Sequence, residues 1–312
     1  MTTSILRTAD AWWVQTATGA AQIATTARTT RELLTDRSAI DAAAHSSDTV
    51  PVETLELRSP VTAPCRVVAQ MTNYASHVTD AGMNPKSIPL TFFRKSSGSI
   101  SGPHDVIVKP PHVRFLDYEV EIGLVMAREL PVGATVTEAN LADYIAGLVV
   151  TNDVSARDIQ LPQTQFYEAK SYPTFTPVGP ALVLLDADEL KRFGDLRLRL
   201  RVNGEVRQDM VVDGDMIYRP LQALQALTRF QPLDAGDLVM TGTPAGTALS
   251  APAKPIEIIG NLLPPAVKWK AFFKRQAGNT KYLHDGDVVD SMIATDDGAI
   301  DLGSQRASVR YG

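Results

Sequence analysis

Apolar and polar positions along the chain fall into two textures. In the first, residues 13–24 read as short strands around a turn at Gly19. Residues 29–44 (TTRELLTDRSAIDAAA) repeat Leu33, Leu34, Ile40 and Ala43 at helical spacing, with Thr30 placed to cap the helix. The polar run 45–50 and Pro51 then read as a linker, so residues 1–59 are expected to form a small N-terminal α/β domain. From Pro60 on, short apolar runs alternate with Pro and Gly. Strands are expected at 66–71, 106–108, 119–126, 145–152, 181–185, 196–202, 238–241 and 288–293, with helices at 141–144 and 220–228. Many strands and few helices predict a β-rich α+β fold of barrel or sandwich type over residues 60–312.

One strand carries an anomaly. In FLDYEVEIGLVM (115–126), side chains alternate faces, so Glu119 and Glu121 point the same way, opposite Tyr118, Val120, Ile122 and Leu124. Two carboxylates about 7 Å apart on a half-buried face repel, and burial drives each toward protonation. A solvated face on an edge strand would tolerate them; a hard divalent cation would resolve the conflict in the interior. The second reading gains from VVTNDVSARDIQ, where an apolar strand ends at Asn152 and Asp153, offering a third carboxylate. Arg157 and Gln160 follow at helical spacing, suited to gripping a carboxylate or carbonyl. Lys170 lies in an aromatic, Pro-bounded loop, and His77 and Asp80 stand three apart, as a base and its orienting acid could. The turn after DLVM places Thr243 and backbone N–H groups near a ligand.

Composition narrows the class. With 312 residues, 44% apolar and 21% charged, the chain is long enough for a sizeable core and ordinary for a globular protein. A formal charge of -5 argues against nucleic acid. Cys65 is the only cysteine, which excludes an intrachain disulfide and a CxxC metal site. The start lacks the apolar core of a signal peptide, and the longest apolar runs are far too short for a membrane span. These features predict a cytoplasmic protein with no membrane partner. Within 251–283, Trp269, Phe272 and Phe273 can share a helix face ringed by Lys268, Lys270, Lys274 and Arg275. That face suits a lid or partner contact, or equally docking on the protein's own core.

The segments NYASH, FLDYEVEIGLVM, TNDVSARDIQ, AKSYPTFTPVGP, VNGEVRQD and GDLVMTGTPAG, in that order, resemble the fumarylacetoacetate hydrolase family. The resemblance covers about residues 60–250 and resumes at DGDVV near 286. It implies a mixed β-roll and a Mg²⁺ or Mn²⁺ site, with Ca²⁺ accepted in vitro, held by Glu119, Glu121 and Asp153. By the same resemblance His77 is the base, Asp80 its partner and Lys170 the group that neutralises an enolate. Tyr74, Arg157, Gln160 and Thr243 line the substrate pocket. The implied enzyme is a homodimeric hydrolase that cleaves a carbon–carbon bond of a 2,4-dioxo acid, an acylpyruvate. Decarboxylase, tautomerase or hydratase chemistry would share the enolate, and a non-catalytic, metal-stabilised binding protein is the reading of a different class. The chain departs from the family pattern at Met71, where Gly is common, at Pro173, where Asp is common, at Asp80, where Glu is common, and in the insertion at 251–283.

Overall fold

The computed structural model describes residues 2–164, 166–249 and 264–312. The fold is α+β and strand-rich, as expected, and is organised by two sheets. The larger has nine strands in the order Gly19–Gln22, Trp12–Thr16, Thr3–Arg7, Leu182–Leu184, Ile145–Asn152, Val120–Met126, Leu238–Met240, Val67–Gln70 and Phe92–Lys95. The smaller runs Glu205–Val211, Leu196–Val202, Val288–Thr295, Asp301–Tyr311 and Ile107–Lys109. Neither sheet closes on itself among the described residues, which corrects the barrel expectation. Each keeps two edges because the connections build long open sheets rather than a staggered ring.

Strand Val120–Met126 sits inside the larger sheet, antiparallel to both Ile145–Asn152 and Leu238–Met240. Every residue of it is buried. Val120, Ile122, Leu124 and Met126 join one apolar cluster and Val125 joins another, so the sheet is covered on both faces. A side chain at Gly123 would not fit, since its Cβ would lie 2.6 Å from Val149 Cγ2. Burial on both faces removes the solvated-edge explanation for the glutamates.

The N-terminal segment continues this sheet: Thr3–Arg7 pairs antiparallel with Leu182–Leu184. Its expected single helix is two, Thr30–Thr35 and Arg37–Ala44, parted at Asp36. The cap is Thr29 rather than Thr30, in a capping box with Glu32. Thr30 is drawn inward instead, bonding Pro60 O (2.7 Å) and Thr62. Helix Pro265–Gln276 docks on the protein's own core: Phe273 is 8% exposed and stacks on Phe115 at 5.6 Å. Residues 251–263 of the expected insertion lie outside the described residues. Among the described residues, no helix is long and apolar enough to cross a membrane.

Candidate active site

The site lies where the middle of the large sheet meets its connecting loops. Glu119 and Glu121 project from the start of the Val120–Met126 strand, and Asp153 follows the antiparallel neighbour Ile145–Asn152. The register pairs Glu121 with Thr151, and Asp153 N–H donates to Glu119 O (2.8 Å). Ladder pairing thus brings the three carboxylates together. Their nearest oxygens lie within 4.8 Å of one another, and all three residues are buried.

Burial of three carboxylates demands positive charge, and part of it comes from side chains the sequence did not flag for this role. Lys95, on the edge strand Phe92–Lys95, is 3% exposed and donates to Asp153 Oδ1 at 2.5 Å and to Phe175 O at 2.9 Å. Lys170 donates to Glu119 Oε2 at 2.5 Å and pairs with Asp153 Oδ2. Arg157 donates through Nε to Asp117 Oδ2 (2.8 Å), through one terminal nitrogen to Glu119 Oε1 (2.5 Å), and through the other to Gln160 Oε1 (2.8 Å). Asp117 also accepts the N–H groups of Tyr118, Ala248 and Leu249. It anchors the guanidinium from behind.

These contacts split the two glutamates. Burial alone would raise Glu119, but Arg157, Lys170 and His77 hold it well below the ordinary carboxylate range. Glu121 goes the other way: burial, then the Asp153 and Glu119 charges, push it well above that range. Its hydrogen bond comes from Gly242 N–H (2.8 Å), and it forms no ion pair among the described residues. Burial likewise lowers Lys95, while Asp153 and Glu119 overcome burial and raise Lys170.

A cavity of about 340 Å³ opens onto this cluster, and His77, Glu119, Glu121, Asp153, Arg157, Gln160, Lys170 and Thr243 all line it. His77 sits on the short helix Ala75–Asp80. Asp215 fixes the start of that helix, accepting Ser76 N–H (2.7 Å) and Ser76 Oγ–H (2.5 Å) on its carboxylate and Ala75 N–H (2.8 Å) on its carbonyl. His77 Nδ1 is enclosed without a hydrogen-bond partner, which leaves Nε2 as the open nitrogen. Burial lowers the imidazole pKa, with Glu119 opposing, so the ring is neutral near pH 7.

Asp80 and Tyr74 lie off the cavity, whereas Arg157, Gln160 and Thr243 line it. Asp80 does not line the cavity and makes no bond to His77, so the imidazole has no carboxylate partner among the described residues. Tyr74 does not line it either; the residue is fully buried, with burial and Glu121 pushing its phenol up. Arg157 lines the wall, but its guanidinium serves Asp117 and Glu119 rather than standing free for a ligand. The Thr243 hydroxyl donates to Val120 O (2.9 Å) and accepts from Gln208 Nε2 (2.8 Å), so it secures the loop to the strand.

Comparison with known proteins gives the arrangement a context. A family profile described as fumarylacetoacetate hydrolase C-terminal matches residues 66–310. The chain is 33% identical over 201 residues to the mitochondrial oxaloacetate tautomerase Fahd2a of Rattus norvegicus, covering 64% of this chain and 62% of that protein. It is 34% identical over 223 residues to an uncharacterised Archaeoglobus fulgidus protein, covering 70% and 85%. A solved structure described as a probable 2-hydroxyhepta-2,4-diene-1,7-dioate isomerase from Mycobacterium abscessus superposes with TM-score 0.73 at 28% identity, covering 100% of this chain and 99% of that one. A fumarylacetoacetate hydrolase from Exiguobacterium antarcticum gives 0.71 at 26%, covering 100% of both.

Proposed function

The chain belongs to the fumarylacetoacetate hydrolase family, and from that premise we propose that it moves protons through the enolate of a small 2-oxo acid, as a cation-dependent keto–enol tautomerase or isomerase. The reading is carried by the meeting of a neutral histidine, a lysine ammonium and three carboxylates in one cavity. The names of the tautomerase and isomerase relatives agree with it.

Glu119, Glu121 and Asp153 fit a hard divalent ion, Mg²⁺ or Mn²⁺. They are an all-oxygen set, and Glu121 has no cationic partner among the described residues. When bound, the ion would draw electron density from the 2-oxo group and acidify the neighbouring C–H. His77 Nε2 takes a proton from that carbon, leaving its electron pair to form the enolate. Lys170 has a third N–H beyond the two given to Glu119 and Asp153, and it offers this to the oxygen on which charge develops. The protonated His77 then returns its proton to that oxygen, completing the enol. In the reverse direction carbon is protonated.

Hydrolytic cleavage of a 2,4-dioxo acid is the second reading. The open Nε2 favours it, because that nitrogen could as well take a proton from water. Weighing against it, among the described residues no carboxylate partner orients His77, as water activation by histidine commonly requires.

A panel of oxaloacetate and 2,4-dioxo acids with Mg²⁺, followed by enol absorbance and product identification, separates the two. Accelerated enol–keto exchange without a cleavage product is expected; release of pyruvate with a carboxylic acid from a 2,4-dioxo acid would replace tautomerisation with hydrolysis, and release of pyruvate with CO₂ from oxaloacetate would replace it with decarboxylation. His77→Ala should lower turnover by about 10²–10⁴-fold. In the native enzyme kcat/KM should hold its neutral-pH value below about pH 6.5, since the base stays unprotonated below the ordinary histidine pKa. An acid limb centred above pH 6.5 would remove His77 as the base.

A further inference from the structure

The cavity is charged at its floor and apolar at its mouth. Glu119, Glu121, Asp153 and Lys170 are 0–4% exposed, whereas Met83 is 43% exposed on the same cavity and Pro89 is also exposed. Between them the half-buried wall is mostly apolar, Met71, Ile88, Phe93 and Phe166, with the uncharged Thr72 and Thr91 beside them. Phe93 and Phe166 meet edge to face at 5.3 Å, and Lys170 Nζ lies 5.1 Å from the Phe93 ring centroid. An aromatic pair therefore starts where the charged floor ends. The cations lining the cavity among the described residues are Arg157 and Lys170, both spent on floor carboxylates. Among the described residues no cation lines the outer half.

The floor's own charge points the same way. Asp117, Glu119, Glu121 and Asp153 face Lys95, Lys170 and Arg157, leaving one excess negative charge when all are ionised. A divalent ion turns this into one excess positive charge, which a single carboxylate neutralises. A second carboxylate would bring uncompensated charge into an apolar sleeve, where burial without a partner is strongly opposed.

We infer that the substrate is a 2-oxo monocarboxylic acid whose far end is an apolar alkyl or aryl group, seated between Met71, Met83, Phe93 and Phe166. This rests on the enolate reading of the floor and adds the chemistry of the tail. Met71 is a determinant of that choice. It lines the cavity, and its thioether supplies apolar wall there.

The test is a matched pair, 2-oxohexanoate and 2-oxoadipate, which share chain length and differ in a terminal methyl or carboxylate. Binding to the native protein in Mg²⁺ is measured by calorimetry, with the ligand-induced shift in Tm as a second readout. The monoacid should bind about tenfold or more tightly. Met83→Arg, at a position exposed enough to accept the change, should narrow or invert the ratio by supplying the missing cation. Equal or tighter binding of 2-oxoadipate by the native protein overturns the inference while leaving the enolate reading standing, as does a ratio unmoved by Met83→Arg. Failure of both acids to bind overturns the enolate reading and the inference with it.

Discussion

Two clusters of ion pairs, one under the cavity and one on the outside of the five-stranded sheet, are built from the same chemistry. On the outer sheet, Arg197 pairs with Asp209 at 2.5 Å, Arg199 with Asp296 at 3.0 Å and Arg306 with Asp290 at 2.7 Å. Those side chains are 30–66% exposed, so water solvates each charge whether or not its partner is present. Beneath the cavity the pairs are as short, but the side chains are 0–6% exposed. There the protein has replaced the solvent, and every charge depends on another. Distance does not separate structural from optional pairs; access to water does.

Removing a buried partner should therefore have the largest effect. Asp117→Asn leaves Arg157 short of an anion and turns an amide toward the N–H groups of Ala248 or Leu249. It should cost about 3–5 kcal/mol in denaturant unfolding, and a loss near zero would break the comparison. Glu121→Ala comes next, because it removes a cation ligand without orphaning an ion pair. Calorimetry should show Mg²⁺ and Mn²⁺ binding lost in the variant and about one ion per chain in the native protein; equal content in both would refute the site. Arg306→Met marks the small end, within about 1 kcal/mol of native at low salt and closer still at high salt.

The sequence made part of this cluster legible. Alternation along FLDYEVEIGLVM put Glu119 and Glu121 on one face, and the apolar run ending at Asp153 supplied the third carboxylate. The same alternation also includes Asp117, two residues earlier, but only the fold brings Arg157 onto it. Lys95 was less visible. Phe-Phe-Arg-Lys followed by serines resembles an exposed loop, and only pairing with Val67–Gln70 makes it a strand that buries the lysine. Asp80 failed for the opposite reason. Spacing of three places two residues near each other on a helix, but it cannot say that this helix ends at Asp80 while the cavity claims His77. The apolar periodicity located most strands of both sheets. It could not say that Leu196–Val202 and Ile145–Asn152 belong to different sheets, since strand order is decided by partners far away in the chain.

One pairing across the large sheet bears on how the molecule is made. Thr3 pairs with Leu184, so Thr3–Arg7 leaves the ribosome long before its neighbour on that side, Leu182–Leu184. Until then Thr3–Arg7 can hold only its local hairpin with Trp12–Thr16, and its other edge is open to foreign strands. During synthesis, then, this hairpin must wait with an unprotected edge until Leu182–Leu184 arrives, and the nine-stranded sheet is complete only once Leu238–Met240 has joined Val120–Met126 to Val67–Gln70.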